Sequence, residues 1–237
     1  MIKSLNKLIL KRLEVILIFL FCLLIFTFIL SFIETDITAH IQKAIDIVTI
    51  DAEYPPNFLF YFTINLFSFF TGNLFFIHTV TVILLSLSVT FKYIISKKII
   101  LDLLPSANNY NSKQLTFIAI ATLLFFSIPD FYGVFIIKKM YLGHFVPIVW
   151  HNSTVIFLFP FTLLLFLVQI KILQQKHSIP FKHLILSTLL IFINIAIKPS
   201  FIFVFTPVFS LIIISKYARI NLKKTIILLS PMLLGGF

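Results

Sequence analysis

Charge is what this sequence has least of. Only 11% of its 237 residues are Asp, Glu, Lys or Arg, against about 25% in an ordinary soluble domain. Hydrophobic residues make up 60% and phenylalanine alone fills 31 positions; the mean hydropathy is +1.10. A water-soluble domain of this size could not hide that much apolar surface and stay dispersed, so a soluble globule is excluded. Glycine is scarce as well: Gly72, Gly133, Gly143, Gly235 and Gly236 build neither a dinucleotide fingerprint nor a phosphate-binding loop. The single cysteine, Cys22, permits no internal disulfide and no cysteine-based metal spacing. No two histidines have the spacing of a helical zinc site. No inner segment is long enough for a nucleotide-handling domain, which excludes ATP-driven transport by this chain alone.

Long apolar runs take the place of these features. Residues 15–33 carry no charge over 19 positions, about 28 Å of helix at about 1.5 Å per residue, close to a bilayer's hydrocarbon thickness. Lys3, Lys7, Lys11 and Arg12 precede the run, and Glu34 and Asp36 follow it. Its length and the absence of a small-residue cleavage site predict an uncleaved first helix with a cytoplasmic N-terminus. Residues 34–57 form an acidic outer loop holding five of the eight acidic residues, and end in Tyr54-Pro55-Pro56-Asn57. Residues 58–91 are again without formal charge but are interrupted by Thr71-Gly72-Asn73. The spacing predicts a short juxtamembrane helix over 58–70 and a span over 74–91.

Further runs at 115–128, 154–170, 184–197 and 201–215 complete about six crossings, with a partial seventh at 225–237. Alternating them leaves Lys43, Lys138, Lys139 and Lys198 outside and the other 15 of 19 basic residues inside, as the positive-inside bias requires. The net charge of +11 is thus accounted for by membrane orientation rather than by nucleic acid. The expected fold is all-α: a polytopic transmembrane helix bundle over 1–237, an integral protein of a bacterial inner or plasma membrane. The last run stops after 13 residues with no polar tail, so the sequence reads as truncated at its C-terminus.

Chemistry is expected at the outer surface. Glu34-Thr35-Asp36 lies just past the first span, and His40 follows Asp36 by four residues, so a helix there would put Asp36 and His40 on one face. Carboxylates at that position suit a general base or a divalent metal, with Glu34 and Asp36 as the ligands. The same residues also suit a plain acidic mark at the outer end of a helix.

This pattern resembles the polytopic C-type membrane glycosyltransferases over residues 15–98. The resemblance is carried by Glu34-Thr35-Asp36 after the first span, then His40, Ala44, and Tyr54-Pro55-Pro56 leading into Phe58-Leu59-Phe60-Tyr61. It implies an enzyme that takes a sugar from a polyprenyl-phosphate donor to a cell-envelope glycan, lipid or protein acceptor, with inversion. It implies Asp36, with Glu34, as the catalytic acidic motif. A departing lipid phosphate needs positive charge, for which Lys198 is the best placed; a snorkelling role is the alternative. Asp130, in the next outer loop, is the implied acidic partner of Asp36, or a helix-end residue. Trp150 and His151 suit stacking on and hydrogen bonding to a sugar ring, or interfacial anchoring. Asn152-Ser153-Thr154 also matches a glycosylation sequon. The rival expectations are a non-enzymatic lipid or glycan flippase or exporter subunit and an inactive truncated remnant. A carrier would depend on polar groups near the midplane, where this sequence has almost none, His78 and Asn194 being the nearest, and that favours the enzyme.

Overall fold

The computed structural model describes residues 2–33, 35–103, 112–124, 136, 152–175, 180–217 and 222–235. Among the described residues it is all-α, with nine helices. They are α1 (Ile2–Phe32), α2 (Asp36–Thr49), α3 (Leu59–Phe67), α4 (Leu74–Leu103), α5 (Ser112–Leu124), α6 (Ser153–Gln174), α7 (Phe181–Ile197), α8 (Ser200–Tyr217) and α9 (Leu222–Gly235). Four are long and apolar enough to cross a membrane, over Arg12–Phe32, Leu74–Asp102, Ser153–Gln174 and Ser200–Tyr217; Phe181–Ile197 is apolar but shorter. Two compact units divide the chain, Met1–Tyr54 with Tyr61–Pro160, and Pro55–Phe60 with Phe161–Phe237.

In the first unit, α4 packs along α1, and α2 and α5 also pack on α4. Hydroxyl side chains line the buried part of α4 and return to their own helix. Thr81 donates to the Ile77 carbonyl at 2.7 Å, Ser86 to Val82 at 2.7 Å and Thr90 to Ser86 at 2.7 Å. Each polar group is thereby satisfied without a partner helix, and the small side chains let neighbouring backbones come close. Near the start of the apolar part of α1, Glu14 accepts hydrogen bonds from Lys97 Nζ at 2.6 Å and from the Tyr93 hydroxyl. Lys97 also donates to Thr116 Oγ1 at 2.8 Å, so one ionic cluster joins α1, α4 and α5.

The second unit is built on Leu165 and Ile172 of α6, Leu190 and Ile191 of α7, Phe205 and Phe209 of α8, and Leu228 and Met232 of α9. Phe201, Phe205 and Phe209 stack in series with centroids 5.1 Å apart at each step. Polar side chains are also enclosed here. Gln169 Nε2 donates to Ser187 Oγ, and the fully buried Asn194 donates to the Leu190 carbonyl at 2.7 Å.

The acidic segment 34–57, expected as an outer loop, is helical over most of its first half. Thr35 caps α2, its hydroxyl accepting from the Ile37 amide at 3.2 Å. Ile37, Ile41, Ala44 and Ile47 form the buried stripe, while Thr38, Gln42 and Thr49 are exposed. The short helix expected over 58–70 is helical over Leu59–Phe67 and ends because Phe69 and Phe70 take left-handed backbone, φ 56° and 52°. At about 14 Å it is too short to cross a bilayer. Gly72, at φ +64°, lets the chain pass α2: a Cβ there would lie 2.6 Å from the Thr49 methyl. Asn73 then opens α4, its side-chain oxygen accepting from the Phe75 amide at 2.9 Å.

Candidate functional site

The first turn of α2 presents Asp36, and one turn later the same face presents His40. Their side chains meet, with His40 Nε2 3.7 Å from Asp36 Oδ2. The end of a helix that carries Asp36 is also the positive end of its dipole, which favours a carboxylate there. From α3, Tyr61 reaches across to the other ring nitrogen, its hydroxyl 2.6 Å from His40 Nδ1. The two rings are tilted by 43° with centroids 5.6 Å apart. Asp36, His40 and Tyr61 thus form one chain of polar groups across two helices.

The environment is half enclosed. The Asp36 and His40 side chains are 21% and 22% exposed, and Tyr61 is buried. Burial pushes the Tyr61 phenol above its ordinary value, and the Asp36 charge adds to that. Asp36 Oδ1 is buried and has no hydrogen-bond partner among the described residues. A buried carboxylate oxygen left in that state is costly, and native structures retain few of them. Asn65, buried on α3, donates a long 3.5 Å contact to the Tyr54 hydroxyl.

Lys198 is the C-cap of α7 in the second unit, its amide donating to the Asn194 carbonyl at 2.8 Å. Glu34, Asp130, Trp150 and His151 lie outside the described residues. Of the sequon, Asn152 is the N-terminal cap of α6. Its side-chain oxygen accepts from Thr154 Oγ1 at 2.8 Å and from the Val155 amide at 3.0 Å. No group of three or more His, Cys, Asp or Glu suited to a metal ion occurs among the described residues. Within them, Asp36 and His40 offer a carboxylate and an imidazole, too few to fix a divalent ion's coordination without further ligands.

Tyr61 is the site residue that sequence reasoning missed. It stands in an aromatic run, Phe60-Tyr61-Phe62, where its hydroxyl gives no local signal. His40 and Tyr61 are 21 residues apart, on either side of Pro55-Pro56, and only the fold converts that offset into contact. No known protein family, characterised protein or solved structure matches the chain.

Proposed function

We propose that this chain is an inverting membrane glycosyltransferase, moving a hexosyl or pentosyl group from a polyprenyl-phosphate donor to a cell-envelope acceptor at the outer face. The observation that carries the reading is Asp36: a carboxylate just past an apolar helix of spanning length, beside His40, with one oxygen lacking a hydrogen-bond partner among the described residues. A general base must present its carboxylate to an acceptor hydroxyl, and the Asp36 side chain is 21% exposed. In the reaction, the hydroxyl proton passes to the Asp36 carboxylate while the hydroxyl oxygen bonds to the anomeric carbon. The bond from that carbon to the donor phosphate breaks, and its electron pair leaves with the phosphate. Lys198 is proposed to bind a lipid phosphate, and Glu34, Asp130, Trp150 and His151 to assist at the outer surface. The topology that goes with this reading has a cytoplasmic N-terminus, about six complete spans and a partial seventh.

A second reading, a lipid or glycan carrier, is favoured by one observation: Gln169, Ser187 and Asn194 are buried inside the apolar second unit. Polar groups at that depth suit a translocated polar head. One experiment separates the two. In a Cys22→Ser background, Asp36→Cys in intact cells is treated with a membrane-impermeant maleimide, and Asp36→Asn membranes are assayed for release of polyprenyl phosphate from polyprenyl-phosphate hexose. Outside labelling with loss of release supports the transferase. Labelling only after lysis, or release unchanged by Asp36→Asn, overturns it.

A further inference from the structure

We infer that Tyr61 is a positioning residue: its hydroxyl donates to His40 Nδ1, holds the imidazole as the Nε2–H tautomer, and so turns a fixed N–H toward Asp36. The inference rests on the reading of Asp36 as the base and adds a residue and a device to it.

The argument begins with donors and acceptors. Tyr61 and His40 Nδ1 are 2.6 Å apart, a short hydrogen bond in which one group must donate. The phenol, kept protonated by burial and by the neighbouring Asp36 charge, has a proton to give. A neutral imidazole that accepts at Nδ1 carries its proton on Nε2. Nε2 faces Asp36 Oδ2 at 3.7 Å. With the proton on Nε2 the interaction is attractive; in the other tautomer a nitrogen lone pair would face the carboxylate and repel it.

The consequence falls on the carboxylate's second oxygen. Asp36 and His40 are four residues apart on a capped helix, so their spacing is fixed by α2 itself. Oδ2 is the oxygen turned to the imidazole, 3.7 Å from Nε2, and Oδ1 is left without a partner among the described residues. Histidine here orients an aspartate, and tyrosine orients the histidine. α3 thereby contributes to the site through its one hydroxyl-bearing aromatic residue, while Phe62 on the same short helix is exposed.

The test uses the full chain in lipid nanodiscs with 15N-labelled histidine, His40→Gln assigning the His40 signals among the six histidines. The wild type is expected to show an unprotonated, hydrogen-bonded Nδ1 and a protonated Nε2. Tyr61→Phe keeps the ring and removes the donor; it is expected to bring in the Nδ1–H tautomer and to lower polyprenyl phosphate release from polyprenyl-phosphate hexose about tenfold or more. A purely packing role for Tyr61 would leave both unchanged in Tyr61→Phe, and that result, or a wild-type proton on Nδ1, overturns the inference. The two readings fail separately. If Asp36→Asn abolishes release while Tyr61→Phe leaves the tautomer alone, the transferase reading stands and this inference falls. A tautomer change in Tyr61→Phe with release unaffected by Asp36→Asn keeps the lock and removes the transferase.

Discussion

Lys97 on α4 donates to Glu14 on α1 across 2.6 Å, joining residues 83 positions apart near the start of the apolar part of α1. Tyr93 and Thr116 hydroxyls complete the shell around the same carboxylate oxygen. Their side chains are 17% and 23% exposed, Lys97 and Glu14 respectively. A pair so enclosed is held by its hydrogen bonds as much as by charge.

Breaking that pair from one side is expected to be expensive. Lys97→Met leaves Glu14 charged and half buried, and should lower stability by about 3 kcal/mol or more. Glu14→Met with Lys97→Met should recover most of the loss, since no charge is then stranded. Thermal unfolding of the detergent-solubilised variants checks both, and equal losses in the single and double variants would contradict the account.

Gly72→Ala should destabilise the turn between α3 and α4. The added Cβ meets the Thr49 methyl at 2.6 Å, and the residue must hold φ +64°. The left-handed backbone alone costs about 1–2 kcal/mol for a residue with a Cβ. Thr49→Ala in the same chain should return part of the loss by removing the clash, leaving the backbone part. Chemical denaturation of the single and double variants measures the split.

Tyr61 gives stability a dependence on alkaline pH. The folded state holds the phenolic proton more tightly than the unfolded chain, whose tyrosine titrates at an ordinary value of about 10. Its contribution is therefore complete below that value and is lost as pH rises above it, through the folded value. Tyr61→Phe should flatten that alkaline decline. Unfolding midpoints measured from pH 7 upward test the sign.

Asn152→Ala should lower stability by about 1 kcal/mol through loss of the α6 cap. Asn152→Asp, which keeps an acceptor oxygen for the Val155 amide, should retain most of it. If Asp and Ala behave alike in thermal unfolding, the cap carries no weight.

Much of the helical layout was legible because apolar runs broken by charge or Gly-Asn signals set helix ends directly. The Thr71-Gly72-Asn73 break separates α3 from α4, and the run over 201–215 falls within α8. The helix in the acidic segment was harder to read. Counting Glu34, Asp36, Asp46, Asp51 and Glu53 as a loop obscured the Thr35 cap and the Ile37, Ile41, Ala44, Ile47 stripe, both present in the sequence. Asp36 and His40 could be paired from local spacing alone. Tyr61 and the partners of Glu14 could not, because their meaning depends on helices that meet only in three dimensions.

The α4 hydroxyls of Thr81, Ser86 and Thr90 bond back to their own helix rather than to a neighbouring one. The ionic cluster at Glu14 is then the fixed end of a ruler. From Glu14 to Phe32, α1 rises about 27 Å, and the chain turns into α2 and Asp36 directly beyond it. That span is a length standard built into the covalent chain, with charge marking both ends. In a bilayer whose hydrocarbon thickness departs from it, the two marks cannot both sit at their interfaces, and tilt or local deformation must take up the difference. Lipid chain length thereby becomes a variable of the acidic site's depth.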